Sequence, residues 1–267
     1  MARDLGVDRE RLRHWVSFLA ICGVLERALR QGVLGSYCLK GGVAMELRFA
    51  QRVRATRDLD LALEGDRASR LQTLSEVLRL GFDEFTFRVK AQTRDMEQAA
   101  TIRVQVAIQH RTRSWQTIEV DLGPANAVRI DLVEPRVDGV MDLGIPVVSP
   151  VRCLGLADQV AQKLHACTGP AAAGRARDVL DILLIDLLGE LDYPAAASAA
   201  RRVFKERATH PFPPQFVMPD EWRPELEGLA AELGFPLLTA AAIERRFLEC
   251  IRALQTAGFT AGTPAGP

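Results

Sequence analysis

Net charge is the first thing this sequence lacks. Lysine and arginine number 34, aspartate and glutamate number 34, and the formal charge at pH 7 is zero. A chain-wide electrostatic pull on nucleic acid is therefore excluded, and any RNA would need a local basic patch. The arginine-rich stretches Arg48 to Arg57 and Arg201 to Arg207 are the candidates, although either can equally be a solvated helix face. Lysine itself is scarce. There are four, Lys40, Lys90, Lys163 and Lys205, and every other cation is arginine. No apolar run reaches the roughly 18 residues of a membrane span. Met1 to Arg11 is charged and is followed by no apolar signal region. Five cysteines, odd in number and without paired spacing, read as reduced thiols of a cytoplasmic protein. The four histidines show no His-x-x-x-His or Cys–His spacing for zinc. There is no Ser-His-Asp set, and Gly35 to Gly42 lacks the Gly-Lys-Ser/Thr ending of a Walker loop. Aromatics make up 6% of the chain. Trp115, Trp222 and Phe212 can stack bases but read first as core or turn anchors.

What is present is a folded chain of 267 residues, 48% hydrophobic and 25% charged, with enough apolar material for a core without staples. There is no internal repeat. Apolar residues near helical spacing predict a helix over Asp8 to Leu34, ended by Gly32 and Gly35. Tyr37 to Leu39 reads as a short strand, and Val43 to Phe49 as a helix after Gly41-Gly42. Asp58 to Leu63 alternates acidic and apolar residues, the period of a strand. A helix over Arg67 to Leu80 follows. Phe85 to Val89, Ile102 to Gln109, Thr117 to Leu122 and Val128 to Val133 read as strands. After Pro150 only helices are expected, over Val151 to Cys167, Arg175 to Leu188, Pro194 to Glu206, Pro224 to Leu233 and Leu237 to Gln255. Pro211 to Pro214 is a loop of polyproline character. The expected organisation is α+β: an α/β domain over 1–149, a helical domain over 150–260 and a flexible tail over 261–267.

The chemistry concentrates in Leu39 to Met45 and Thr56 to Asp60. On a strand, Asp58 and Asp60 point to the same face. Two facing carboxylates repel each other unless a cation sits between them, and oxygen ligands of this kind suit Mg²⁺ or Mn²⁺. Such a pair can hold metals that activate a hydroxyl and stabilise a leaving pyrophosphate. Gly41-Gly42 lets the backbone approach a phosphate closely. The helix that follows offers its positive end to the same anion, and Lys40 can reach it too. Alone, an Asp-x-Asp strand is usually a solvated face. The ordered combination is more specific: strand, Lys-Gly-Gly, helix, then Arg-Asp-Leu-Asp.

Leu39-Lys40-Gly41-Gly42-Val43-Ala44-Met45 and Thr56-Arg57-Asp58-Leu59-Asp60 resemble the first motif of the AbiEii and MenT nucleotidyltransferase toxins, within the DNA polymerase beta-like superfamily. Fifteen residues separate Gly42 from Asp58, more than the superfamily's shortest spacing, and the excess Gln51 to Ala55 would lengthen the loop after the helix. The resemblance runs from about Leu39 to Leu183. It implies a mixed sheet with flanking helices, followed by an all-helical domain that completes the active site. It implies a third carboxylate from a neighbouring strand. Asp121, in Ile118 to Gly123, is the candidate and Asp131, in Arg129 to Leu132, its rival.

Leu156 to Leu164 resembles the family segment whose lysine, here Lys163, faces the nucleotide phosphates. As an isolated feature it is equally a surface lysine on an amphipathic helix. Gly174 to Leu183 resembles the family's last helical motif, with Arg177 where lysine is common. There Arg175 would touch phosphate, and Asp178 or Asp181 would orient Lys163 or the acceptor. Arg175 with Asp178, and Arg177 with Asp181, have helical spacing for ion pairs, so a salt-bridged helix start is the plain alternative. The implied activity is transfer of NMP from an NTP, with Asp58, Asp60 and Asp121 holding Mg²⁺. Lys40, Gly41, Gly42, Arg57, Lys163 and Arg175 would hold the nucleotide. The implied acceptor is the 3′ end of tRNA, and the implied setting a toxin–antitoxin or phage-defence pair with a separately encoded antitoxin. Alternatives are a protein or small-molecule acceptor of the aminoglycoside kind, or a catalytically dead partner-binding module.

Overall fold

The computed structural model describes residues 8–94, 101–125, 128–135, 150–188 and 190–257, of which 91–94 by backbone alone. The expected domain limits at 149 and 260 and the tail 261–267 lie outside the described residues. The chain divides into two compact units, Met1–Leu154 and Gly155–Pro267.

The first unit begins with α1 (Arg9–Arg30), whose N-cap Asp8 accepts bonds from the backbone N–H groups of Glu10 and Arg11. Then come β1 (Cys38–Lys40), α2 (Gly41–Phe49), a 3₁₀ turn (Ala50–Arg52), β2 (Asp58–Leu63) and α3 (Arg67–Arg79). Next are β3 (Phe85–Arg94), β4 (Ile102–His110), β5 (Arg113–Pro124), β6 (Ile130–Val133) and β7 (Val151–Leu154). Among the described residues seven strands form one mixed sheet in the order β3-β4-β5-β2-β1-β7-β6. β2 pairs in parallel with β5 and antiparallel with β1, so the Asp-x-Asp strand lies in the sheet's interior.

Alternation builds two faces. Leu59, Leu61, Val104, Val106, Val120 and Leu122 join Trp15, Phe18, Leu25 and Leu74 of the helices in one buried core. Each such residue contributes roughly 1.5–3 kcal/mol by leaving water. Asp58, Asp60, Glu119, Asp121 and Arg103 fall on the opposite face. A slip of one residue would drive the carboxylates into the core, so hydrophobic burial holds the register that aligns the acids.

Two sequence expectations are corrected here. The helix expected from Val151 begins only at Leu156; Val151–Leu154 is a strand pairing with β1 and β6. Gly155 separates the two elements as the helix N-cap. The helix expected from Val43 begins earlier, at Gly41.

The second unit holds α4 (Leu156–Thr168), α5 (Ala176–Leu187), α6 (Tyr193–Arg207), α7 (Trp222–Glu232) and α8 (Ala240–Ala257). α4 packs on α6 through Ala161, Ala199, Ala200 and Val203, small residues that let the two backbones approach closely. No helix among the described residues is long and apolar enough to cross a membrane.

Candidate active site

β1, β2 and β5 place the first set of candidates. In the β-ladder, Lys40 stands opposite Asp60, and Asp60 opposite Asp121. Asp58 stands opposite Glu119. Neighbouring strands run about 4.8 Å apart, so one face presents acids in adjacent rows. Lys40 Nζ reaches the carbonyl of Pro124 at 3.4 Å, at the end of β5.

The glycines have steric reasons. Gly41 has φ +58°, and a Cβ there would stand 1.8 Å from Asp60 Oδ2. The Asp60 carboxylate thus lies against the first turn of α2, where the helix dipole favours negative charge. A Cβ on Gly42 would stand 2.6 Å from Thr56 Oγ1. Only hydrogen at both positions lets β2 and its approach pass so close to the helix start.

Glu46, buried on α2, fixes this geometry. Its Oε1 accepts from Arg11 Nε and Trp15 Nε1, both at 2.9 Å, and its Oε2 accepts from the Thr56 amide at 3.2 Å. Burial raises its carboxyl pKa against the opposing pull of these donors. Arg11 also donates to the carbonyls of Ala50 at 3.0 Å and Val53 at 2.6 Å. The lengthened loop before Asp58 is thereby tied to α1.

The acids meet a cation that sequence reasoning missed. Arg103 on β4 stands opposite Asp121. Its Nε donates to Asp121 Oδ1 at 2.7 Å and its NH2 to Oδ2 at 2.6 Å. Its NH1 donates to Glu119 Oε2 at 3.2 Å, and Asp58 Oδ2 lies 3.6 Å from NH2. Hydrogen bonding to Asp121 raises the guanidinium pKa. Among the described residues, no three His, Cys, Asp or Glu side chains gather as a metal-holding group. The backbone sets Asp58, Asp60 and Asp121 in adjacent rows; the Asp58 and Asp121 carboxylates turn to Arg103, and that of Asp60 lies against Gly41. The donor set still fits a hard divalent cation, because it is all oxygen, carried on paired strands and free of a Cβ at Gly41.

Asp131, the rival third acid, lies elsewhere. β6 is separated from β2 by β1 and β7, and Asp131 accepts from Arg48 NH2 at 3.0 Å. Arg48 is buried and also donates to the Leu154 carbonyl. It is turned inward, and so leaves the basic stretch Arg48 to Arg57. Arg57 is exposed and pairs with Glu10 at 3.3 Å.

In the second unit, α4 and α5 bring Lys163, Asp178 and Asp181 together. Lys163 Nζ donates to Asp178 Oδ1 and Asp181 Oδ2, both at 2.7 Å. All three are buried. Burial works to lower the lysine pKa, but the Asp181 and Asp178 charges outweigh it and raise it. Both aspartates therefore hold the ammonium. Arg175 lies 3.6 Å from Asp178, while Arg177 donates to Glu225 at 3.1 Å. Helical spacing predicted the first pair; the second partner comes from α7.

A mixed sheet with flanking helices, carrying an acidic central strand beside a glycine-started helix, defines a nucleotidyltransferase-type fold. MenT4, a nucleotidyltransferase toxin from Mycobacterium tuberculosis H37Rv, superposes with a TM-score of 0.53 at 16% identity, over 93% of this chain and 91% of that one. The antibiotic-resistance factor ANT(2'')-Ia matches at a TM-score of 0.42 and 15% identity, over 72% of this chain and 93% of that one. No curated protein matches the chain. The family model described as "Nucleotidyl transferase AbiEii toxin, Type IV TA system" matches residues 24–253. The chain belongs to that family of nucleotidyltransferase toxins.

Proposed function

We propose that this protein transfers a nucleoside monophosphate from an NTP to the 3′ end of tRNA, as the toxin of a toxin–antitoxin or phage-defence pair whose antitoxin is encoded separately. The observation that carries the reading is the position of Asp60. It lies between Lys40 and Asp121 in the ladder and against the helix start at Gly41. Acid, cation and glycine backbone are thus supplied by paired neighbours, as a triphosphate with its counter-ion requires.

Asp58, Asp60 and Asp121 would hold Mg²⁺ or Mn²⁺. Such an ion, when bound, polarises the phosphate and lowers the pKa of an attacking hydroxyl. Lys40, Gly41, Gly42 and Arg57 would bind the triphosphate, and Lys163 and Arg175 of the helical unit are the further phosphate-binding candidates. The acceptor oxygen bonds to the α-phosphorus, the bond to the β-phosphate oxygen breaks, and pyrophosphate leaves. The hydroxyl proton passes to a carboxylate of the same face. Asp178 and Asp181 act by keeping Lys163 charged and aimed.

The test is incubation with each α-³²P-labelled NTP, Mg²⁺ and total tRNA. Label in the tRNA band, lost after removal of the 3′-terminal nucleotides, is expected. Label appearing instead on protein or on an aminoglycoside would move the acceptor. Its absence from every acceptor would end the reading.

A further inference from the structure

Asp121 has two carboxylate oxygens, and one guanidinium takes both. The contact is bidentate, with bonds of 2.7 and 2.6 Å, the strong geometry for an Arg–carboxylate pair. The same guanidinium draws in Glu119 at 3.2 Å and Asp58 at 3.6 Å. Arg103 reaches them because β4 pairs with β5, and Ile102 and Val104 on either side of it are buried in the core. Its side chain is 40% exposed and can swing off the sheet without disturbing that core.

A divalent cation seeking Asp58 and Asp121 needs the oxygens that Arg103 uses, and a second positive charge beside it is repelled. We propose that Arg103 is a positioning residue that competes with the divalent ion for Asp121, so that loading the site requires the guanidinium to release that carboxylate. This rests on the nucleotidyltransferase reading above. It adds that the acidic face is held in order by an internal cation, and that metal affinity is set below what the carboxylates alone would give.

The sign of one measurement separates this from a structural role. Mn²⁺ binding to the full chain is followed by electron paramagnetic resonance, with thermal melting to confirm folding. Arg103→Gln is expected to tighten Mn²⁺ binding by about ten- to a hundred-fold, the range that losing hydrogen bonds to a charged group implies. Arg103→Lys keeps the charge but loses the fork, and should tighten binding by less. If Arg103→Gln melts below the assay temperature, Arg103→Lys carries the test alone. Unchanged or weaker binding in a folded variant overturns the proposal. Asp60→Asn tells the two readings apart. Mn²⁺ binding by the parent that is lost in Asp60→Asn, with no tightening in the Arg103 variants, removes only the role of Arg103. Failure of parent and Arg103 variants alike to bind Mn²⁺ removes both readings. Binding by Arg103→Gln where the parent shows none supports the competition.

Discussion

Gly41 and Asp60 share a space that no side chain on Gly41 can enter: a Cβ there would stand 1.8 Å from Asp60 Oδ2. Gly41→Ala must therefore displace the Asp60 carboxylate. It also places a Cβ at φ +58°, which costs about 1–2 kcal/mol. The expected outcome is a modest fall in melting temperature and a drop in nucleotidyl transfer of about tenfold or more, the penalty of misplacing a reacting group. Gly32→Ala is the control. Gly32 has φ +71° and nothing within 4 Å of the added Cβ, so melting should shift similarly while transfer stays at the parent rate.

Glu46 supports the site from behind. Glu46→Ala leaves the buried Trp15 Nε1–H and Arg11 guanidinium without their shared acceptor. Denaturant unfolding should show a loss of about 3 kcal/mol, the cost of orphaning buried donors. Glu46→Gln keeps an acceptor oxygen and should lose clearly less. Equal stability of all three proteins would show that the loop before Asp58 is held by other contacts.

These contacts show where sequence reasoning works and where it stops. Asp58–Leu63 was legible because acidic and apolar residues alternate, and the match to β2 is residue for residue. In the α5 motif charge spacing gave the Arg175–Asp178 pair but not that of Arg177, which goes to Glu225 instead of Asp181. Arg103 was not. Counting back from the β4–β5 turn, where His110 pairs with Arg113, would put Arg103 opposite Val120 on the wrong face. A bulge between Ile108 and Gln109 shifts the register by one and brings Asp121 opposite instead. Local propensity carries no mark of that bulge. β7 was missed for a different reason. Four residues, Val-Arg-Cys-Leu, are too few for a period to show, and the sheet pairing that makes them a strand comes from β1 and β6, both far away in the chain.

Lys163 answers two buried carboxylates at once. Lys163→Met removes the ammonium that Asp178 and Asp181 share, leaving Arg175 3.6 Å from Asp178, and should cost about 3–5 kcal/mol of unfolding free energy. Removing the acids as well, in Lys163→Met with Asp178→Asn and Asp181→Asn, should recover much of it. Additive losses across the set, measured by urea denaturation, would contradict a coupled cluster.

His165 supplies a pH signature. Burial first, then the Arg207 and His210 charges, lower its pKa from 6.5 to about 4. Between those values the unfolded chain binds a proton that the folded chain refuses, so stability falls as pH drops through the window. Melting temperature should decline from pH 6.5 towards pH 4.5, and His165→Gln should decline less steeply. Parallel slopes for parent and variant would place the pH dependence in other groups.

Paired carboxylates on β2 and β5 are proposed to carry out nucleotidyl transfer. The most direct measurement is the transfer rate of Asp60→Asn beside the parent, with labelled NTP, Mg²⁺ and tRNA, at matched melting temperatures. A fall of about a thousandfold, as expected when a group serving the transition state is removed, is the predicted result. Transfer at the parent rate by a folded Asp60→Asn protein would rule out that role for the β2 carboxylate.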